Sequence, residues 1–224
     1  MATPGAVMTD FASLRARMVE RQLHRRGIDD ERVLAAMAAV PREKFVPERS
    51  RGRAYADSAL PIGEGQTISQ PWIVAAICQA LELCESERVL EVGSGSGYSA
   101  AILARLAAEV VGVERHESLA AGARLTLDSL GVRNVELRVG DGSRGVPERA
   151  PFEAIAVHAT APAPPRTLLG QLADGGRLVV PIAADRADLL TVFRRDGAEL
   201  RREELGPCRF VPLIGEEGFS PPSL

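Results

Sequence analysis

Three glycines spaced two apart, two acids and one hydroxyl are the residues on which chemistry can rest. Gly93-Ser94-Gly95-Ser96-Gly97 follows the apolar, β-favouring run Val89-Leu90-Glu91-Val92. Glycines there let the chain turn sharply and let a ligand approach the backbone with no Cβ in the way. Small and apolar residues then recur at helical spacing from Ser99 to Leu106. A helix opening here points its unpaired N–H groups at whatever fills the loop. Glu114 closes a second apolar run, Val110-Val111-Gly112-Val113. An acid at the tip of a second strand can accept both hydroxyls of a ribose. Asp141 lies in Gly140-Asp141-Gly142, after a third run. Together these residues predict a nucleoside cofactor. Tyr98 stands where the dinucleotide pattern G-x-G-x-x-G needs its third glycine, which favours S-adenosylmethionine over a nicotinamide dinucleotide.

Positioning these groups requires strands that end at a common edge. Apolar runs near residues 89–92, 110–113, 135–139, 155–157 and 177–181 alternate with helical patterns at 119–130 and 167–172. That alternation predicts an α/β fold with a doubly wound, mostly parallel sheet. Residues 189–193 and 199–205 flank the turn signal Asp196-Gly197 and predict a hairpin at the C-terminal edge. Phe210-Val211-Pro212-Leu213 reads as a final short strand. Ligands of such sheets lie beyond the strand C-termini, where Gly93, Glu114, Asp141 and Ala159 all fall.

Ahead of the sheet, Thr9 or Asp10 can cap a helix over residues 11–26, closed by Gly27. Asp29 or Asp30 can cap a second helix that stops at Pro41. The first seven residues are expected to fray. Residues 42–64 read as a long irregular loop, a candidate lid. Ser69 reads as the N-cap of a helix whose first turn holds Pro71 and whose buried stripe includes Trp72, Ile73 and Ile77. The expected organisation is an N-terminal cap and loop over residues 1–64 and a sheet domain over residues 65–224, packed as one unit.

At 224 residues, 46% hydrophobic and 25% charged, the chain is ordinary for a globular protein. The net charge of −3 gives no basis for nucleic acid or an anionic membrane as partner. No apolar run approaches the ~20 residues of a membrane helix, and the N-terminus lacks the basic and apolar regions of a signal peptide. Cys78, Cys84 and Cys208 have no metal-ligand spacing, and an odd, unclustered set predicts reduced thiols in the cytoplasm. No metal site is expected.

The sequence resembles the protein-L-isoaspartate (D-aspartate) O-methyltransferase family. The likeness rests on Leu60-Pro61-Ile62-Gly63 with Gly65-Gln66-Thr67-Ile68-Ser69-Gln70-Pro71, on the loop from Val89 to Tyr98, on Gly140-Asp141-Gly142, on Gly175-Gly176-Arg177-Leu178-Val179-Val180-Pro181 and on Arg209-Phe210-Val211-Pro212-Leu213. The resemblance implies a class I methyltransferase fold. It implies S-adenosyl-L-methionine as methyl donor, isoaspartyl proteins or peptides as substrate, and a cytoplasmic enzyme; a monomer is expected. It implies a catalytic hydroxyl at Ser69 and cofactor contacts at Gly93, Ser94, Gly95, Gly97, Glu114, Asp141 and Gly142. It also implies substrate contacts at Thr67, Ile68, Ser69 and Val211. His158 departs from the family, which usually carries Thr or Gly there. Thr160 and Glu153 also depart.

A substrate carboxylate is already ionised at neutral pH, with a free pKa of ~4. No general base is therefore required, and none of the Ser-His-Asp type is present. The rival readings are a carboxylate methyltransferase tailoring a dedicated peptide, supported by the His158 departure, and a non-catalytic module that binds S-adenosylmethionine. A nicotinamide-dependent oxidoreductase is disfavoured by Tyr98.

Overall fold

The computed structural model describes residues 9–221; the first seven residues, expected to fray, lie outside them. Helix α1 (Phe11–Met18) starts at Asp10, whose carboxylate accepts from Ser13 N at 3.0 Å. It is shorter than expected: the rod continues as a π turn, Val19–Leu23, and a 3-10 turn, His24–Arg26. Gly27, at φ +88°, ends it as predicted. Helix α2 (Glu31–Ala39) is capped by Asp30, which accepts from Arg32 N and Val33 N.

The expected loop over residues 42–64 is largely ordered into short elements. It holds 3-10 turns at Arg42–Lys44 and Glu48–Arg53, then strand β1 (Leu60–Gly63). β1 pairs antiparallel with β2 (Gln66–Ile68). The boundary expected at residue 64 thus falls inside the turn of a hairpin. Helix α3 (Pro71–Leu81) has Pro71 at its first turn, but its N-cap is Gln70 and no side chain caps it. Ser69 is therefore not the N-cap; it precedes that position and its hydroxyl is not used by the helix.

The main sheet contains β3 (Arg88–Val92), β4 (Glu109–Glu114), β5 (Val135–Val139), β6 (Phe152–Val157), β7 (Leu172–Ile182), β8 (Asp188–Asp196) and β9 (Glu199–Cys208). Helices α4 (Tyr98–Leu103), α5 (Glu117–Ser129) and α6 (Arg166–Gly170) lie between strands. The spatial order is β5-β4-β3-β6-β7-β8-β9. The first five strands are parallel, and β8 and β9 add antiparallel at the edge. The expected last strand near Phe210 is not a strand. It is an isolated bridge from Pro212 to Thr160, fastened by Thr160 N to Val211 O and Leu213 N to Thr160 O, both 2.8 Å. Pro212 has no N–H to extend the pairing.

Strand β3 explains why the sheet sits inside the molecule. Val89 packs with the cap residues Met18, Leu23, Val33, Met37 and Phe45, whereas Leu90 and Val92 face Phe152, Ile155, Leu168 and Leu178. Alternate side chains enter two cores, so every one must be apolar or neutralised. The chain leaves β3 toward β4 and β5, then crosses back to β6 and β7. The strand order therefore reverses between β3 and β6, and the crevice beyond their C-terminal ends is where such sheets hold ligands.

Candidate active site

The loop after β3 is held from both neighbouring strands. Gly93 N donates to Val113 O at 2.8 Å, and His158 N donates to Val92 O at 2.9 Å. Gly93 and Gly95 have φ of +83° and +53°, a region that L side chains avoid. Gly97, also at positive φ, is the N-cap of α4, and a Cβ on it would lie 3.1 Å from Ala123 Cβ. Gly97 thus seats α4 against α5 and is not among the residues that line the cleft.

A cleft opens beyond the C-terminal ends of β3, β4 and β6. Gly93, Ser94, Gly95, Ser96, Glu114, Arg115 and Gly142 line one side. Gln66, Thr67, Ile68, Ser69, Val211, Leu213 and Ile214 line the other. Of the expected residues, only Gly97 and Asp141 are missing from its walls.

Glu114 is buried, and its two carboxylate oxygens accept from Gly95 N at 2.8 Å and His116 N at 2.9 Å. Each oxygen keeps a lone pair for a further donor, so the acid both fixes the glycine loop and can receive ribose hydroxyls. Ser94 Oγ is buried and has no partner among the described residues. It touches the space a Cβ on Gly112 would fill, at 2.4 Å.

Asp141 stands behind Gly142. Its Oδ1 accepts from Ser143 N (2.9 Å) and Ser143 Oγ (2.7 Å), and its Oδ2 accepts from Glu216 N (2.8 Å). Burial alone would raise its pKa, but the N–H of Glu216 and both donors of Ser143 outweigh it and hold the carboxyl below its ordinary value. In this arrangement Asp141 shapes the turn that presents Gly142.

Several residues of the site were not legible in the sequence. Arg42 is fully buried; its Nε donates to Ala54 O at 2.7 Å and its Nη2 to Ser69 O at 2.8 Å, while the guanidinium lies 4.8 Å from the ring centroid of Tyr98. It joins the cap, the Ser69 segment and the glycine loop. Burial lowers its pKa, opposed by Tyr98; burial likewise pushes the Tyr98 hydroxyl up to about 12. Nothing local marks Arg42, which stands in a polar turn after Pro41. Trp72, expected in the core, is half-buried instead: its Nε1 donates to Arg26 O at 3.2 Å, and Arg26 lies over its ring.

Trp72 belongs to a second cavity, also lined by Arg26, Ala59, Gln70, Ile73 and residues 207–210. The two cavities share Thr67, Ser69, His158 and Val211. Ser69 Oγ has no protein partner and is not among the enclosed polar atoms, which leaves it open to this divide.

The family model for protein-L-isoaspartate(D-aspartate) O-methyltransferase matches residues 14–218. The chain belongs to that family. A protein-L-isoaspartate O-methyltransferase of Koribacter versatilis is 51% identical over 214 residues, covering 96% of each chain. One of Rhodopseudomonas palustris is 54% identical, covering 95% of this chain and 87% of its own. A Plasmodium falciparum structure, described as a protein-L-isoaspartate O-methyltransferase in complex with S-adenosyl-L-homocysteine, superposes with a TM-score of 0.79 at 28% identity. It covers 89% of this chain and 98% of that one. The seven-stranded, mostly parallel sheet is thus a class I methyltransferase fold, as expected.

Among the described residues no group of three or more His, Cys, Asp or Glu is placed to hold a metal. No described helix is long and apolar enough to cross a membrane.

Proposed function

We infer that the protein transfers a methyl group from S-adenosyl-L-methionine to the free carboxylate of L-isoaspartyl or D-aspartyl residues in damaged proteins or peptides. The observation that carries this reading is the meeting of two cavities at Thr67, Ser69, His158 and Val211. One cavity has the loop and acid that suit a nucleoside. The other opens to the surface, where a peptide can enter.

The sites fit the methyl donor on their own terms. Backbone at Gly93 and Gly95 is bare, Ser94 Oγ is an unused polar atom, and Glu114 retains acceptor capacity. When bound, S-adenosyl-L-methionine supplies a methyl group on a cationic sulfur. The protein's task is then to align an anionic oxygen with that carbon and to exclude water, worth up to ~7–11 kcal/mol of barrier. Ser69 Oγ donates a hydrogen bond to the substrate carboxylate at the divide. The carbon–sulfur bond breaks as the oxygen–carbon bond forms, with no proton transfer. The resulting ester can close to a succinimide, the first step of repair.

Cytoplasmic placement is supported by three unpaired cysteines: Cys78 buried, Cys84 exposed and Cys208 half-buried. Burial raises the Cys208 thiol to about 12, which suits an inert thiol. A monomer without nucleic acid or membrane as partner is supported by the negative net charge and by the few large exposed hydrophobics, Leu125, Val139, Leu200 and Leu205. The test is labelled methyl transfer to matched isoaspartyl, aspartyl and asparaginyl peptides. Transfer confined to the isoaspartyl peptide is expected. No ester on any of the three overturns the reading, and preference for the aspartyl peptide points to a dedicated substrate.

A further inference from the structure

Glu91 lies in the middle of β3 with no exposed surface, and neither of its carboxylate oxygens has a hydrogen-bond partner among the described residues. A carboxylate so enclosed is costly unless a cation faces it. The group within reach is His158, whose Nε2 lies 3.5 Å from Glu91 Oε1. The same Nε2 is 2.7 Å from Ser99 Oγ, at the start of α4. His158 follows β6, directly across the point where the strand order reverses. Its ring is therefore fixed at one edge by β3 and α4. Nδ1 has no partner among the described residues and is not among their enclosed polar atoms, so it is the edge turned to the cavities.

We propose that His158, held by Glu91 and Ser99, is a substrate-binding residue whose Nδ1–H donates to the carboxylate to be methylated. This deepens the methyltransferase reading and rests on it. Among the described residues Glu91 has no hydrogen-bond donor, and only His158 lies against it as an ion-pair partner. The incoming carboxylate therefore meets a donor on a ring that β3 and α4 hold in place. His158 is not a base, because the carboxylate has no proton to give up.

The experiment is the steady-state methylation of one isoaspartyl peptide at saturating S-adenosyl-L-methionine, with wild type and His158→Thr. His158→Thr should raise KM for the peptide about tenfold, while kcat changes by less than about threefold and S-adenosyl-L-homocysteine affinity stays within about twofold of wild type. Equal KM for the two proteins overturns the proposal. So does a variant that loses S-adenosyl-L-homocysteine affinity at unchanged KM. Because removing His158 leaves Glu91 unpaired, a second measurement uses wild type. The ring signals of its three histidines, His24, His116 and His158, are followed by NMR as peptide is added to the S-adenosyl-L-homocysteine complex. His24→Gln and His116→Gln, away from both cavities, give the assignment. The His158 signals should shift as the peptide binds; an unmoved signal refutes the contact. Should wild type esterify no peptide, the methyltransferase reading falls, while the NMR titration still decides whether His158 binds a carboxylate.

Discussion

Gly112→Ala isolates how the sheet holds the glycine loop. Gly112 is in β4 with no positive φ, so alanine fits its backbone without strain. The added methyl, however, would lie 2.4 Å from Ser94 Oγ and 2.5 Å from Leu137 Cδ2. Ordinary contact is ~3.5–4.0 Å, so both groups must retreat by roughly 1 Å. The leucine end can rotate; Ser94 Oγ is enclosed, so its displacement presses on the loop that lines the cleft. Overpacking of this kind costs about 1–3 kcal/mol, and losing glycine's extra chain entropy returns about 0.5–1. The net loss lies within about 0–2.5 kcal/mol and centres near 1, a fall in Tm of ~2–4 °C for a chain of this size. If that strain sits in the loop, S-adenosyl-L-homocysteine binds ~2- to 30-fold more weakly. Thermal unfolding and titration calorimetry read the two quantities separately. Ser94→Ala removes the clashing oxygen, so in that background the affinity penalty of Gly112→Ala should shrink by at least about threefold. Wild-type Tm and affinity in Gly112→Ala, or an undiminished penalty in the double variant, would refute the steric account.

Two other outcomes are expected. Ser69→Ala should lower kcat on an isoaspartyl peptide by about 10- to 100-fold, the worth of a hydrogen bond to a charged group, and leave S-adenosyl-L-homocysteine affinity unchanged; stopped assays and calorimetry check this, and wild-type turnover removes the role. Arg177→Met should destabilise the fold, because Arg177 is buried, donates from Nη2 to Glu82 O at 2.7 Å at the end of α3, and pairs through Nη1 and Nη2 with Glu87 at 2.6 Å. Burial would raise the Glu87 carboxyl, yet Arg177 and the N–H of Cys84 hold it below its ordinary value. A depressed carboxyl stabilises the fold above its unfolded pKa of ~4.3 and ceases to as pH falls through the folded value. The stability gap between wild type and Arg177→Met, read by urea melts, should therefore narrow below about pH 4.5; a gap independent of pH contradicts the pairing.

What could be read from the sequence was local. Apolar runs named each parallel strand because β3, β4 and β6 are buried on both faces, and glycines marked the loop because positive φ leaves little choice. Gly27 announced a helix end for the same reason, and Asp10 and Asp30 announced helix starts because their carboxylates accept free N–H groups there. The rest depended on partners distant in the chain. The β1–β2 hairpin was hidden because a proline and two glycines within and beside a few residues look like coil. Nothing local marks Arg42 or Arg177, since only tertiary contacts show that each satisfies carbonyls from separate elements. Ser69 was read as a cap because Ser before Pro is a common cap sequence, yet Gln70 takes that position and frees the hydroxyl. The pairing of Glu91 with His158 joins two strands that are neighbours in the sheet but far apart in the chain.

The segment around Val211, tied to Thr160 by two backbone bonds, faces Thr67 and Ser69 across the divide. Material from before the first parallel strand and from after the last hairpin thus meets in one place. A ligand bridging them acts as a cross-link between early and late chain. Amide hydrogens in both stretches should then gain protection in concert when product binds, even though neither stretch touches the other's neighbours in sequence. The β8–β9 edge carries residues 207 and 208 of the second cavity, whereas Gly93, Gly95 and Glu114 sit at the sheet's centre.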